Sequence, residues 1–98
     1  MKPDIIISIR FLTTFEGGRE TPVQGEFYSC PLFVGGEGFD CRLLLEGQRL
    51  DLGVIYEVPV KFLYREKTIQ KIKPGMVVLL WEGRNVAEGK VLEICRTN

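Results

Sequence analysis

The sequence predicts an all-β protein, a small single domain whose six or seven antiparallel strands close on themselves or pack as two sheets. Three observations carry this. Apolar and polar residues alternate with period two along most of the chain, turn-forming glycines fall between the alternating runs, and no segment supports an amphipathic helix of three turns. The 98 residues include 11 glycines and 5 prolines. That turn-rich composition suits many short strands, and the length allows one modest core.

Ile5, Ile7, Ile9 and Phe11 alternate with Asp4, Ile6, Ser8 and Arg10, which gives a first strand with one buried face. Phe27 to Val34 is a nearly continuous apolar run, the pattern of a strand covered on both faces. Phe39, Cys41, Leu43 and Leu45 then alternate with Asp40, Arg42, Leu44 and Glu46. The clearest period-two run sets Leu52, Val54, Tyr56, Val58, Val60, Phe62 and Tyr64 on one face of a long strand. Met76 to Trp81 is a second continuous run, and Arg84 to Cys95 supplies the last strand through Val86, Val91, Leu92 and Ile94.

Glu16-Gly17-Gly18-Arg19, Gly35-Gly36-Glu37-Gly38, Glu46-Gly47-Gln48, Pro74-Gly75 and Glu82-Gly83-Arg84-Asn85 separate these runs as turns. Arg65 to Lys73 has apolar residues only at Ile69 and Ile72 and ends at Pro74, so it reads as a strand or loop holding at most a single helical turn. Pro31 and Pro59 donate no ladder hydrogen bond and mark strand edges or bulges.

Composition excludes several kinds of chemistry. The chain has no histidine, and its 13 Lys and Arg balance 13 Asp and Glu. Ser-His-Asp and Cys-His nucleophile systems and imidazole metal sites are therefore impossible, and the usual neutral-pH acid/base group is missing. None of the glycine-rich turns has the spacing of a phosphate-binding loop or leads into a helix. The carboxylates Glu16, Glu20, Glu37, Glu46 and Glu82 fall in turns, where a solvated charge is the ordinary outcome and no apolar pocket is implied that would raise a pKa; paired-carboxylate catalysis, which needs a long substrate cleft, is not the expectation. Cys30, Cys41 and Cys95 are odd in number and lack a Cys-x-x-Cys pair, which fits reduced, partly buried thiols rather than a disulfide framework or zinc site. The run Ile5-Ile6-Ile7 is too short for a secretory or membrane-spanning segment. These features lead us to expect a cytoplasmic, non-enzymatic protein without cofactor, metal or membrane partner.

Charge is unevenly spread. Lys61, Arg65, Lys67, Lys71 and Lys73 are opposed within their own stretch only by Glu66. This strip is either an electrostatic footprint for nucleic-acid phosphates, with Tyr64 and Trp81 as stacking partners, or a solvated edge strand protected from aggregation by lysines. Tyr28, Tyr56, Tyr64 and Trp81 could together form a protein-binding hot spot, although a small barrel would place most of them in its core.

Two motifs add a family likeness. Glu16-Gly17-Gly18-Arg19-Glu20-Thr21-Pro22 resembles the Gly-Gly-Arg-His-Thr-Pro loop of the C-terminal β-barrel domain of bacterial elongation factor Tu. Glu82-Gly83-Arg84-Asn85-Val86-Ala87-Glu88-Gly89-Lys90-Val91 resembles that domain's terminal hairpin, Glu-Gly-Gly-Arg-Thr-Val-Gly-Ala-Gly-Val-Val. The strand order aligns from about Asp4 to Cys95. The resemblance implies a six-stranded antiparallel Greek-key barrel; it does not imply GTP hydrolysis, which in the family belongs to a separate P-loop domain that is not in this chain. In the family the barrel helps to hold aminoacyl-tRNA and contacts other domains and an exchange partner; its tRNA-facing Glu-Gly corresponds to Glu82 and Gly83.

The chain also departs from that pattern. Glu20 stands where the family has histidine, the terminal hairpin is one glycine shorter, and Cys30-Pro31-Leu32-Phe33-Val34-Gly35-Gly36 replaces a polar Thr-Asp-Val-Thr-Gly loop. An added carboxylate and a lost polar loop both act against tRNA backbone contact. The expectation is a stand-alone module that binds a protein partner of the translation factor or mimics the factor; the alternative is an RNA-binding module using residues 61–73. The candidate contact residues are Arg19, Thr21, Lys61, Arg65, Lys67, Lys71, Lys73, Glu82, Gly83 and Arg84.

Overall fold

The computed structural model describes residues 1–96 and is a closed six-stranded antiparallel barrel. Its strands are β1 (Ile5–Phe11), β2 (Phe27–Val34), β3 (Glu37–Leu44), β4 (Ile55–Phe62), β5 (Val77–Trp81) and β6 (Asn85–Ile94). Around the barrel they run β1-β4-β3-β2-β5-β6 before β6 returns to β1. β2, β3 and β4 are sequential neighbours, and β1 lies beside β4 after a long connection from β1 to β2, which is a Greek key. Closure removes free sheet edges. Among the described residues no helix is long and apolar enough to cross a membrane.

Period two explains the interior. Ile5, Ile7, Ile9 and Phe11 of β1, Leu32 and Val34 of β2, and Val58, Val60 and Phe62 of β4 all point inward and are buried. Val78 and Leu80 of β5 and Val86, Ala87 and Val91 of β6 complete the wall.

Several sequence expectations need correction. β2 and β5 read as covered on both faces, yet each buries only one: Val77 is 65% and Trp81 43% exposed, and Phe27 also faces out. The long fourth run is shorter than its pattern, because Val54 and Tyr64 are exposed beyond the ends of β4. Tyr64 and Trp81 are thus surface residues, while Tyr28 and Tyr56 are half-buried. Residues 65–69 form the single helical turn that the sequence allowed, α1 (Arg65–Ile69), and not a strand, so an edge-strand account of the lysines there fails. Thr68 closes α1 by donating its hydroxyl to the Tyr64 carbonyl, and Thr68 and Ile72 are buried beneath it.

The prolines mark where pairing stops. β2 pairs with β5 only at Leu32↔Leu80 and Phe33↔Leu79, and Pro31 follows directly. β4 pairs with β3 only through Val60, Lys61 and Phe62, and Pro59 comes next.

Candidate interaction surface

The two loop motifs, sixty residues apart in sequence, meet at one end of the barrel. A short 3-10 turn over Thr14–Glu16 begins the first loop, fastened by Glu16, whose Oε1 accepts from the Thr13 amide at 2.8 Å and from Arg10 at 2.9 Å. Those bonds, with the Arg10 guanidinium first in importance, lower the Glu16 pKa to about 2. Gly18 then passes so close to β1 that a Cβ there would lie 2.2 Å from the Leu12 carbonyl oxygen. Only glycine fits.

This crossing delivers Arg19 to the second loop. Its Nη1 meets Glu82 Oε2 at 2.5 Å, its Nε donates to the Thr21 carbonyl at 3.1 Å, and its guanidinium lies 5.4 Å from the centre of the Tyr28 ring. Tyr28 donates its hydroxyl to the same Glu82 oxygen and stacks edge-on with Phe11. Burial, and then the Glu82 carboxylate, push the Tyr28 phenol well above its ordinary pKa, so it stays protonated and donates. From the other side Arg84 Nη2 donates to the Gly18 carbonyl at 3.0 Å. Gly83, with φ of 74°, makes the turn between Glu82 and Arg84. Of the sequence candidates, Arg19, Glu82, Gly83 and Arg84 form one cluster, and Thr21 joins it through its backbone oxygen.

An outward apolar stripe adjoins the cluster. Phe33 and Trp81 rings meet edge to face at 5.9 Å, Leu79 is the register partner of Phe33, and Val77 lies two residues along β5. Beside β5 lies a shallow groove of about 380 Å³ lined by Val77, Leu79 and the 68%-exposed Ile55 together with the polar Ser8, Arg10, Glu88 and Lys90. Phe15, at the tip of the 3-10 turn, is fully exposed. Sequence reasoning missed Phe15, Phe33 and Ile55. Phe15 follows Thr13-Thr14 and precedes Glu16-Gly17, where turn chemistry with a large apolar residue was the available signal.

The basic residues of 61–73 lie apart from this cluster and are largely neutralised. Asp4, only 1% exposed, accepts from Lys61 at 3.2 Å and from the Phe62 amide at 2.8 Å. Arg65 Nε lies 2.8 Å from Asp4 as an ion pair without hydrogen-bond alignment, while its Nη2 donates to the Cys95 carbonyl. Lys71 pairs with Glu37 at 2.8 Å, and Lys67 sits 5.9 Å from the Tyr64 ring centre. Counting Asp4 and Glu37 reduces the strip's local excess from four to two. Lys67 and Lys73 make no ion pair among the described residues.

In these regions the Asp4 carboxylate is held by Lys61, Arg65 and the Phe62 amide, and the Tyr28 phenol is a hydrogen-bond donor to Glu82. No protein-family model matches the chain, and no curated protein matches it.

Proposed function

We propose that this barrel is a non-catalytic protein-interaction module, akin to the C-terminal barrel of elongation factor Tu, that acts in the cytoplasm by binding a partner of that translation factor or by mimicking it. The observation that carries the reading is the continuity of the Arg19–Glu82–Arg84 cluster with the outward stripe of Phe33, Val77, Leu79 and Trp81. Aromatic and arginine side chains at the centre of an apolar patch are the composition of binding hot spots. The two segments that meet in the cluster are also the two that carry the resemblance, which supports a shared surface geometry. Neutralisation of Lys61, Arg65 and Lys71 by Asp4 and Glu37 favours a protein partner over RNA, since phosphate affinity depends on cations free to displace counterions.

The test is affinity capture from a lysate of the native organism, with and without nuclease, by the wild type and by Trp81→Ala and Glu82→Gln variants. Protein captured despite nuclease and lost from both variants supports the reading. The Arg19–Glu82 pair is a half-exposed surface bridge whose loss costs at most about 1 kcal/mol, so the variants remain folded and lost capture reports on the surface. Retention of RNA alone, with capture abolished by nuclease, overturns it.

A further inference from the structure

We propose that Cys30 and Cys41 are a modification site: a buried dithiol that closes reversibly into a cross-strand disulfide, joining β2 to β3 two residues from Tyr28. The two residues are direct register partners on adjacent antiparallel strands. Each lies on the inward face, Cys30 in line with Leu32 and Cys41 in line with Leu43, and they are 8% and 4% exposed. Directly opposed residues in an antiparallel pair have Cα atoms about 4.5 or 5.5 Å apart, according to the hydrogen-bonding phase of the ladder. Both separations fall within the range of roughly 4.4 to 6.8 Å that a disulfide spans. The backbone therefore already holds the geometry of the oxidised form. The thiols are free in this structure, and a hydrogen bond to Cys30 together with burial pushes the Cys41 thiol far up.

That protonation makes the folded barrel slow to react, because the thiolate is the nucleophile. The barrel nevertheless has a weak seam beside one of the two thiols. β2 and β5 share only two register pairs, ending at Phe33↔Leu79 and Leu32↔Leu80; Pro31 offers no amide to continue, and Cys30 is the next residue. Every other strand pair in the barrel is longer. Opening at this seam, one pair shorter than the β3–β4 ladder that ends at Cys41↔Phe62, exposes Cys30 before Cys41.

With a small disulfide such as oxidised glutathione as oxidant, the step balances. Cys30 loses its proton to water on opening, and its thiolate attacks one glutathione sulfur, forming a mixed disulfide and releasing one glutathione thiolate. Cys41, deprotonated in turn, attacks the Cys30 sulfur, closes the protein disulfide and releases the second glutathione. The protein loses two protons and two electrons, and the two glutathione thiols that form take them up. Cys95 takes no part, since it follows β6, which pairs with β1 and β5 and not with β2 or β3.

The test uses the full-length chain, folded and reduced, incubated with oxidised glutathione and followed by intact mass and peptide mapping. The expected product has lost two hydrogens, maps to a Cys30–Cys41 link, forms equally in Cys95→Ala, and reverts with dithiothreitol. Its Tm rises by several degrees over the reduced form. In Cys41→Ala a glutathione adduct accumulates on Cys30 faster than one accumulates on Cys41 in Cys30→Ala. Should only Cys95 be modified, or should linkage appear only at the rate of global unfolding, the proposal is overturned; wild-type mapping alone decides this if a variant fails to fold.

Discussion

Asp4 shows how far a single side chain can depart from its sequence pattern. Period two puts it on the outer face of β1 beside Ile6, yet it is buried because α1 and the end of β4 fold over it. It joins four pieces of chain: its amide donates to the Val60 carbonyl, its carboxylate holds Lys61, Arg65 and the Phe62 amide, and its carbonyl accepts from Cys95. Asp4→Ala leaves the Phe62 amide unpartnered but frees two cations that are already partly exposed. The cost is therefore nearer that of one buried hydrogen-bond group than of a fully buried ion pair, about 2 kcal/mol, or a fall in Tm of roughly 10 °C by calorimetry. Glu16 tests the electrostatics of the 3-10 turn. Its carboxyl is depressed from 4.5 to about 2, so its contribution to stability is complete above pH 4.5 and is lost as pH falls toward 2. Arg10→Ala removes the largest cause and should raise the Glu16 pKa toward 4.5, as read by NMR titration of its side-chain carboxyl; an unmoved titration would refute the assigned cause.

Among the elements, β2 was legible to the residue because Gly25 and the Gly35–Gly36 turn bound it on both sides. β4 was overextended because Leu52 and Val54 keep the alternation through a turn whose Gly53 amide bonds to Phe11. α1 was legible as at most a single turn because Thr68 is its one buried residue, too few for a helical period to register. The loop after β1 refines the role of its two glycines. Gly17 needs a positive φ, 85°, with open space around it, whereas Gly18 has no such φ and is required by its approach to Leu12. Gly17→Ala should thus cost about 1 kcal/mol of backbone strain, and Gly18→Ala roughly 3 kcal/mol, because the β1 backbone must move. Urea denaturation of the two variants separates the cases: equal losses would mean that the close approach is not the constraint.

For the whole molecule, the charge balance read from the sequence hid an arrangement that only folding creates. The basic strip lies in the second half of the chain, and its neutralising carboxylates, Asp4 and Glu37, come from the first half, so no local window of sequence could pair them. Conversely, the apolar stripe was visible as residues but not as surface: barrel closure turned the continuous runs of β2 and β5 into one inner and one outer row. This places a numerical bound on nucleic-acid binding. If only Lys67 and Lys73 are free to meet phosphates, log affinity for bulk tRNA should fall with log salt with a slope of no more than about 2, at roughly 0.7 to 0.9 per phosphate. Gel shifts at several salt concentrations measure it. Glu37→Gln releases Lys71 on the surface, and an RNA-binding barrel would answer with tighter low-salt binding and a slope steeper by about one contact. A protein-binding barrel should show neither change, because Glu37 and Lys71 make no contact with the Arg19–Glu82 pair; a steep wild-type slope would instead require Lys61, Arg65 and Lys71 to leave their carboxylates or cations outside the strip, such as Arg42 and Lys90, to meet phosphates, and would move the functional surface away from the cluster.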